Sequence, residues 1–282
     1  MSEAGSRGEA GTGGETGTRS DPGEVLYEVD DHGVLVLTLN RPDRRNMWSL
    51  GMETAFYGGL TRGAQDSEVR VIVVTGAGNT FCPGLDPNVL DEIKGGSRYA
   101  TNRLPQTFAT TIPKLIIGAI NGSCAGIGLA QALCLDYRFA SRGAKFTTAF
   151  AKRGLPAEDA SAWMLGRLTG PAHALDLIVS GRVFFAEEAK ELGVVQRLSE
   201  PGQVLDDAVA YARAIAGSVS PVSMAMMKSQ VWHDLDCTMD AARIRAQHLL
   251  GLAKGLPDFT EGVNALVEKR PPDFEPYSGV VF

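Results

Sequence analysis

Two glycine-bearing turns hold the residues best placed to do chemistry in this chain: Phe81-Cys82-Pro83-Gly84-Leu85-Asp86 and Asn121-Gly122-Ser123-Cys124-Ala125-Gly126-Ile127-Gly128. Each follows a run of β-branched and aliphatic residues, Val69 to Thr75 and Leu115 to Ile120, so both read as turns near the ends of buried strands. Glycine at such a turn lets the main chain approach a ligand closely. Two turns facing one point aim the N–H groups of Leu85 and Ile127 at a single oxygen that becomes negative during a reaction, an oxyanion hole built from backbone. Gly126-Ile127-Gly128 also opens the apolar pattern Leu129, Ala132, Leu133. The free N–H groups and positive dipole end of that helix then point toward the second turn. Taken one turn at a time, close packing of helix on strand explains the glycines equally well; the pair of turns favours chemistry.

A base for such a site is offered by Glu158 and Asp159, just before a helix that carries Ala162, Leu165 and Leu168. Carboxylates in a first helical turn commonly complement the dipole, which is worth roughly 0.3 to 1 kcal/mol. If one of them faces the pocket, the same dipole is expected to hold it ionised, as suits a general base.

Two rival readings use the same segments. Val74-Thr75-Gly76-Ala77-Gly78 looks like a strand entering a G-x-G turn, but Phe81 stands at the third glycine position and Pro83 follows. No helix starts where a pyrophosphate needs one. Gly122-Ser123-Cys124-Ala125-Gly126 has the shape of a nucleophile elbow with cysteine at its centre, which implies a thiol hydrolase. That chemistry needs a histidine base, and His173, His233 and His248 all fall in helical patterns without special local context.

The elements that must position these turns belong to an α/β domain. Strand-like segments recur at 25–29, 34–40, 69–75, 115–120 and 137–140, with helical patterns between several of them. Ser49 is expected to cap a helix that lays Met52, Phe56 and Leu60 along one face. From about residue 200 onward helical signals dominate: Ser220-Pro221 reads as a cap with proline at the first helical position, and Asp258 with Glu261 as a capping box. The last helix is expected to run through Glu268-Lys269-Arg270 and stop at Pro271-Pro272. Three regions follow: a disordered glycine-rich tail over 1–23, a catalytic core over 24–200 and a helical region over 201–282.

Composition bounds the partners. A net charge of −6, with no Lys/Arg-rich run, excludes a nucleic-acid surface. The four cysteines, Cys82, Cys124, Cys134 and Cys237, show no paired metal spacing, and three sit in apolar segments. Reduced thiols in a cytoplasmic protein are expected. The tail lacks the apolar stretch of a secretory signal. Residues 115–135 are apolar, but Asn121, Ser123 and Gln131 interrupt them and Asn121-Gly122 is a turn signal, so a buried strand and helix are expected, not a membrane span.

Taken together, the segments resemble the enoyl-CoA hydratase/isomerase, or crotonase, superfamily from about residue 24 to residue 273. The resemblance is carried by Asn40-Arg41-Pro42 with Asn46, by Val73-Val74-Thr75-Gly76 through Asp86, by Asn121-Gly122 through Gly128, and by Asp136. It continues in Lys152-Arg153-Gly154-Leu155 with Trp163 and Arg167-Leu168, in Gly181 and Ala186-Glu187-Glu188-Ala189, and in Glu261-Gly262 with Glu268 through Phe274. It implies a spiral of β-β-α units with a C-terminal helical trimerisation region, forming homotrimers or hexamers. It implies an acyl-coenzyme A thioester as substrate, with no further cofactor and no metal. Leu85 and Ile127 fall where the family supplies its oxyanion-hole N–H groups. Arg44 and Arg45, the segment Cys82, Pro83, Gly84 and Asp86, the glycines Gly126 and Gly128, and Lys269 fall along the expected coenzyme A path.

The departures decide the reaction expected. Where a typical hydratase has two glutamates, this chain has Ala130 and Phe150, and neither side chain moves a proton. Glu158 falls at the position of the single glutamate of the family's isomerases, and Phe150 becomes an apolar wall that dries the site. The expectation is an enoyl-CoA isomerase, or an atypical hydratase, with Glu158 as acid and base. Asp159 as an alternative carboxylate, a catalytically silent acyl-CoA binder and a Cys124-dependent hydrolase stand as alternatives.

Overall fold

The computed structural model describes residues 23–96, 103–277 and 279. The expected tail over 1–23 lies outside the described residues except for Gly23. Six strands form the main sheet: β1 (Val25–Val29), β2 (Val34–Leu39), β3 (Val71–Gly76), β5 (Leu115–Ile120), β7 (Tyr137–Ser141) and β10 (Arg197–Ser199). They lie in the order β1-β2-β3-β5-β7-β10, with β1 antiparallel to β2 and the rest parallel. A second, four-stranded sheet holds β4 (Thr80–Cys82), β6 (Ser123–Ala125), β8 (Lys145–Thr147) and β9 (Phe184–Phe185) in that order.

β3 is buried at all six positions because helices or the second sheet cover both of its faces. Alternation splits its side chains. Val71 and Val73, with Ile117 from β5, pack under α8 (Val204–Ala216), whose Ala208, Ala212 and Ala216 form a small-residue stripe that lets the helix sit close. Ile72 and Val74 face the main core with Phe56, Leu60 and Phe81. α1 (Leu50–Gln65) begins where the sequence indicates: Ser49 Oγ accepts from Met52 N–H at 3.0 Å, and Met52, Phe56 and Leu60 are buried. Each of those three side chains contributes about 1.5 to 3 kcal/mol on burial.

β3 leads to β4, β5 leads to β6, and β7 leads to β8, so the chain steps repeatedly from the main sheet to the second one. After β4 comes α2 (Pro87–Lys94), α3 (Phe108–Thr111) precedes β5, and after β6 comes α4 (Ile127–Leu133). This is the spiral of β-β-α units expected from the sequence. The apolar stretch 115–135 is accordingly β5, β6 and α4, and none of the described helices is long and apolar enough to cross a membrane.

Beyond β8 the chain is mostly helical: α5 (Ser161–Thr169), α6 (Pro171–Ser180), α7 (Ala186–Glu191), then α8, α9 (Pro221–Asp234), α10 (Met239–Ala253) and α11 (Pro257–Glu268). Ser220 caps α9 by accepting from Ser223 N–H at 3.0 Å, with Pro221 at the first helical position. The capping box expected at α11 does not form. Pro257 occupies the first helical position, Asp258 instead accepts from Ser220 Oγ at 2.5 Å, and Glu261 pairs with Arg270. α11 also ends at Glu268, before the prolines, because Lys269 takes a left-handed conformation (φ 55°) and Arg270 N–H returns to Ala265 O.

Candidate active site

Both glycine turns are held from behind by asparagines. Asn46 is fully buried; its Nδ2 donates to Ala77 O and Thr80 O at 2.9 and 2.6 Å, and its Oδ1 accepts from Arg41 N–H at 2.9 Å. Asn121 Nδ2 donates to Gly76 O and Gly78 O at 2.7 and 2.9 Å, tying the start of the second turn to the end of β3. The first turn is then bracketed by Trp48, which forms an isolated parallel bridge with Leu85. Trp48 N–H donates to Gly84 O at 2.8 Å and Trp48 O accepts from Asp86 N–H at 2.9 Å. In a parallel bridge of this kind the enclosed residue turns its own N–H away from its partner strand. Leu85 N–H therefore points away from Trp48.

The second turn approaches from the other side. Gly126 has φ 51° and ψ −123°, a conformation that only glycine adopts without strain. A Cβ there would lie 3.9 Å from Gly84 Cα, so the two turns are in contact. Gly128 must also be glycine, because a Cβ would come within 2.2 Å of Cys82 O. Ile127 is the first residue of α4, where a helix leaves its N–H groups without intrahelical acceptors. Among the described residues neither Leu85 N–H nor Ile127 N–H donates a hydrogen bond.

Both residues line one small cavity of about 20 Å³ with Phe150, Leu155 and Glu158. That is room for about one water molecule. Among the described residues Glu158 is the only carboxylate that lines the cavity. Burial raises the Glu158 carboxyl above its ordinary value, while the Arg103 and Arg153 guanidinium groups oppose that shift and Asp159 adds to it. The expectation that a helix dipole holds this group ionised is corrected: α5 begins only at Ser161, and Glu158 lies ahead of its first turn. Loss of solvent outweighs the opposing charges.

Asp159 points elsewhere. It takes a left-handed conformation (φ 46°), and its Oδ2 accepts from Gln106 N–H at 2.5 Å. It pins the chain ahead of α3 and does not line the cavity.

Several other expected site residues are internal supports. Asp86 is 2% exposed, caps α2 through Asn88 N–H at 3.1 Å, and pairs with Arg41 at 3.0 Å and Arg44 at 3.4 Å. Those charges and hydrogen bonds hold its carboxyl below the usual range despite burial, and Arg44 is engaged by it. Cys82 presents its thiol to the core, where burial pushes it up to about 12. Pro83 is half-buried, Gly84 lines the cavity, and Arg45 is exposed at the end of a short turn in a left-handed conformation (φ 53°). Phe150 is 3% exposed and forms the expected apolar wall; Ala130 is buried on α4. Lys269 is exposed at the end of α11 and is not among the cavity's lining residues.

Cys124, the nucleophile of the rival hydrolase reading, is fully buried on β6, and burial raises its thiol well above the ordinary range. A thiol in that state is not a nucleophile. The described residues bring one trio of metal-type donors together, His233, Asp234 and Cys237. Arg245 sits among them, 2.6 Å from Asp234 Oδ1 and 2.6 Å from His233 Nδ1, and its charge opposes a cation.

Sequence reasoning missed Arg103 and Arg153. Arg103 pairs with Glu53, whose Oε2 also accepts from the Trp48 indole N–H at 3.0 Å, so the residue that brackets Leu85 is linked to a cation facing Glu158. No local signal joins residues so far apart in the chain. Arg153 was visible as one of two adjacent basic residues in a turn next to Phe150.

The family profile described as Enoyl-CoA hydratase/isomerase matches residues 30–276. The chain belongs to the enoyl-CoA hydratase/isomerase family. It is 32% identical over 258 residues to the 1,2-epoxyphenylacetyl-CoA isomerase of Escherichia coli, covering 89% of this chain and 98% of that protein. It is also 32% identical over 269 residues to the probable enoyl-CoA hydratase EchA12 of Mycobacterium tuberculosis, covering 91% and 94%. A crystal structure of a probable enoyl-CoA hydratase/isomerase from Mycobacterium abscessus superposes with a TM-score of 0.83 at 30% identity, over 90% of this chain and all of that one. An enoyl-CoA hydratase, EchA12_1, from Mycobacterium marinum is 45% identical with a TM-score of 0.66, over 76% of this chain and 99% of that one. The fold of this family enzyme is thus the crotonase fold, and its relatives carry both isomerase and hydratase names.

Proposed function

We propose that the protein is an enoyl-CoA isomerase whose single proton carrier is Glu158. The observation that carries this reading is the small cavity itself: one carboxylate and two unpartnered main-chain N–H groups line it, with no second carboxylate among the described lining residues.

In the proposed reaction the thioester oxygen of a 3-enoyl-CoA accepts from Leu85 N–H and Ile127 N–H. The Glu158 carboxylate removes a proton from C2, the C2–H electron pair forms the C1=C2 bond, and the carbonyl π pair moves onto the thioester oxygen, which gains the negative charge of a dienolate. The protonated Glu158 then returns the proton to C4. The C3=C4 double bond becomes C2=C3, and the enzyme ends as it began. Donors aimed at the developing oxyanion contribute about 2.7 to 4 kcal/mol each in comparable sites. A carboxyl raised by burial sits closer to neutral pH, which suits a group that must both take and give a proton.

The relatives named as hydratases favour an atypical hydratase as the second reading. Hydration needs one group to activate water and another to protonate carbon, and Ala130 and Phe150 stand where the family's two glutamates are expected. Supplying pure protein with 3-enoyl-CoA and with 2-enoyl-CoA separates the readings. Isomerisation without hydration is expected; hydration of 2-enoyl-CoA without isomerisation overturns the proposal, and tight acyl-CoA binding with neither reaction supports a silent binder.

The proposal carries the rest of the sequence reading with it: an acyl-CoA thioester as the substrate, no further cofactor, a cytoplasmic setting and assembly into a trimer or hexamer. Support for assembly comes from the apolar side chains that the C-terminal helices expose, with Met239 86%, Leu266 79% and Val231 64% exposed. Sedimentation of the purified protein tests it, with a monomer counting against it.

A further inference from the structure

Among the described residues two charged side chains line the cavity, Glu158 and Arg153. The isomerisation uses the first and leaves the second unexplained. Arg153 has no carboxylate within ion-pair distance among the described residues, and its guanidinium donates over a long 3.5 Å to Ala149 O, four residues back in the chain. The nearby arginines are engaged otherwise: Arg41 and Arg44 hold Asp86, and Arg103 holds Glu53.

The position of Arg153 is built. Arg153 N–H and Leu155 N–H both return to Phe150 O, at 2.9 and 3.1 Å, and Gly154 in a left-handed conformation (φ 71°) closes the turn. The guanidinium is thereby hinged on the same turn that sets the apolar wall. Arg153 is exposed, and the cavity it helps to line is otherwise apolar apart from Glu158, with Leu85, Leu90, Ile127, Phe150 and Leu155 among its lining residues. A guanidinium presents a planar fork of donors that matches a carboxylate in two parallel hydrogen bonds.

The geometry points to an acyl group that carries its own anionic end: the substrate is the mono-coenzyme A thioester of an unsaturated dicarboxylic acid, and Arg153 binds its free carboxylate. This rests on the acyl-CoA reading of the site and names its substrate class. With Glu158 and the ligand carboxylate both facing Arg153, the cation serves two anions. The thioester end stays at Leu85 and Ile127.

The test is a binding measurement that needs no turnover. Affinities of the wild-type protein for succinyl-, glutaryl- and adipyl-CoA are compared with those for butyryl-, valeryl- and hexanoyl-CoA, alongside free coenzyme A, in the wild type and in Arg153→Gln and Arg153→Lys. A preference of tenfold or more for at least one carboxylated ligand over its neutral counterpart is expected. Arg153→Gln should remove most of that preference, and Arg153→Lys should restore part of it. Thermal unfolding of each variant guards against a folding defect. No preference in the wild type overturns the proposal, as does an equal loss on carboxylated, neutral and free coenzyme A ligands, which assigns Arg153 to a coenzyme A phosphate. Because the ligands are saturated, the preference is read even if 3-enoyl-CoA is not isomerised, so failure of the isomerase reading is seen separately.

Discussion

Trp48 brackets Leu85 from behind, donating to the carbonyl before it at 2.8 Å and accepting from the N–H after it at 2.9 Å, while Leu85 N–H itself stays unpartnered among the described residues. The hydrogen bonds that fix the turn are therefore separate from the N–H assigned to the thioester oxygen.

That separation yields the first prediction. Leu85→Pro deletes the N–H but leaves both bonds to Trp48, so kcat should fall by about 10²- to 10³-fold. Leu85→Ala keeps the N–H and should stay within a few-fold of wild type. Steady-state kinetics with matched thermal unfolding checks both, and an active, folded Leu85→Pro protein counts against the hole.

The second concerns pH. A general base works deprotonated, so kcat/KM should fall with acid through an apparent pKa above the ordinary glutamate value of 4.5, because burial raises Glu158. Arg103 is the largest charge opposing that rise, and Arg103→Gln should move the acid limb to higher pH. Stability depends on the same shift in the opposite sense. The folded state binds the Glu158 proton more tightly than the unfolded state, so this group costs stability once pH rises above the unfolded value. Glu158→Gln should raise the Tm at neutral pH, and a lowered Tm contradicts the direction of the shift.

The adjacent carboxylates separate in a third test. Asp159→Asn keeps an oxygen for Gln106 N–H and tolerates the left-handed backbone, so turnover should remain within a few-fold. Asp159→Ala loses the acceptor and should cost about 1 to 3 kcal/mol in denaturant unfolding. Loss of turnover in a stable Asp159→Asn protein would move the base from Glu158 to its neighbour.

A fourth uses thiol chemistry. Cys82, Cys124 and Cys134 are buried with raised thiols, so iodoacetamide should label Cys237 in the native protein and the other three only in denaturant. Cys124→Ala should keep turnover. Rapid native labelling of Cys124 would reopen the hydrolase reading.

Much of this was legible in the sequence, for identifiable reasons. β3 announces itself because six consecutive buried positions demand an apolar run, and Ser49 and Ser220 cap helices by purely local contacts. The second sheet was not legible, because β4, β6 and β8 have three residues each and draw their stability from neighbours far along the chain. Asp258 misled for the same reason: its partner is Ser220, 38 residues away. The turns carrying Leu85 and Ile127 were readable from their glycines. The direction of the Glu158 shift was not, since it depends on burial and on Arg103 and Arg153.

The central claim is that Glu158 alone carries the proton. The direct measurement is conversion of 3-enoyl-CoA to 2-enoyl-CoA by the wild-type protein and by Glu158→Gln, with acyl-CoA affinity measured on both. The account predicts conversion by the wild type, none above background by the variant, and nearly unchanged affinity. Conversion by Glu158→Gln at a rate close to wild type contradicts it.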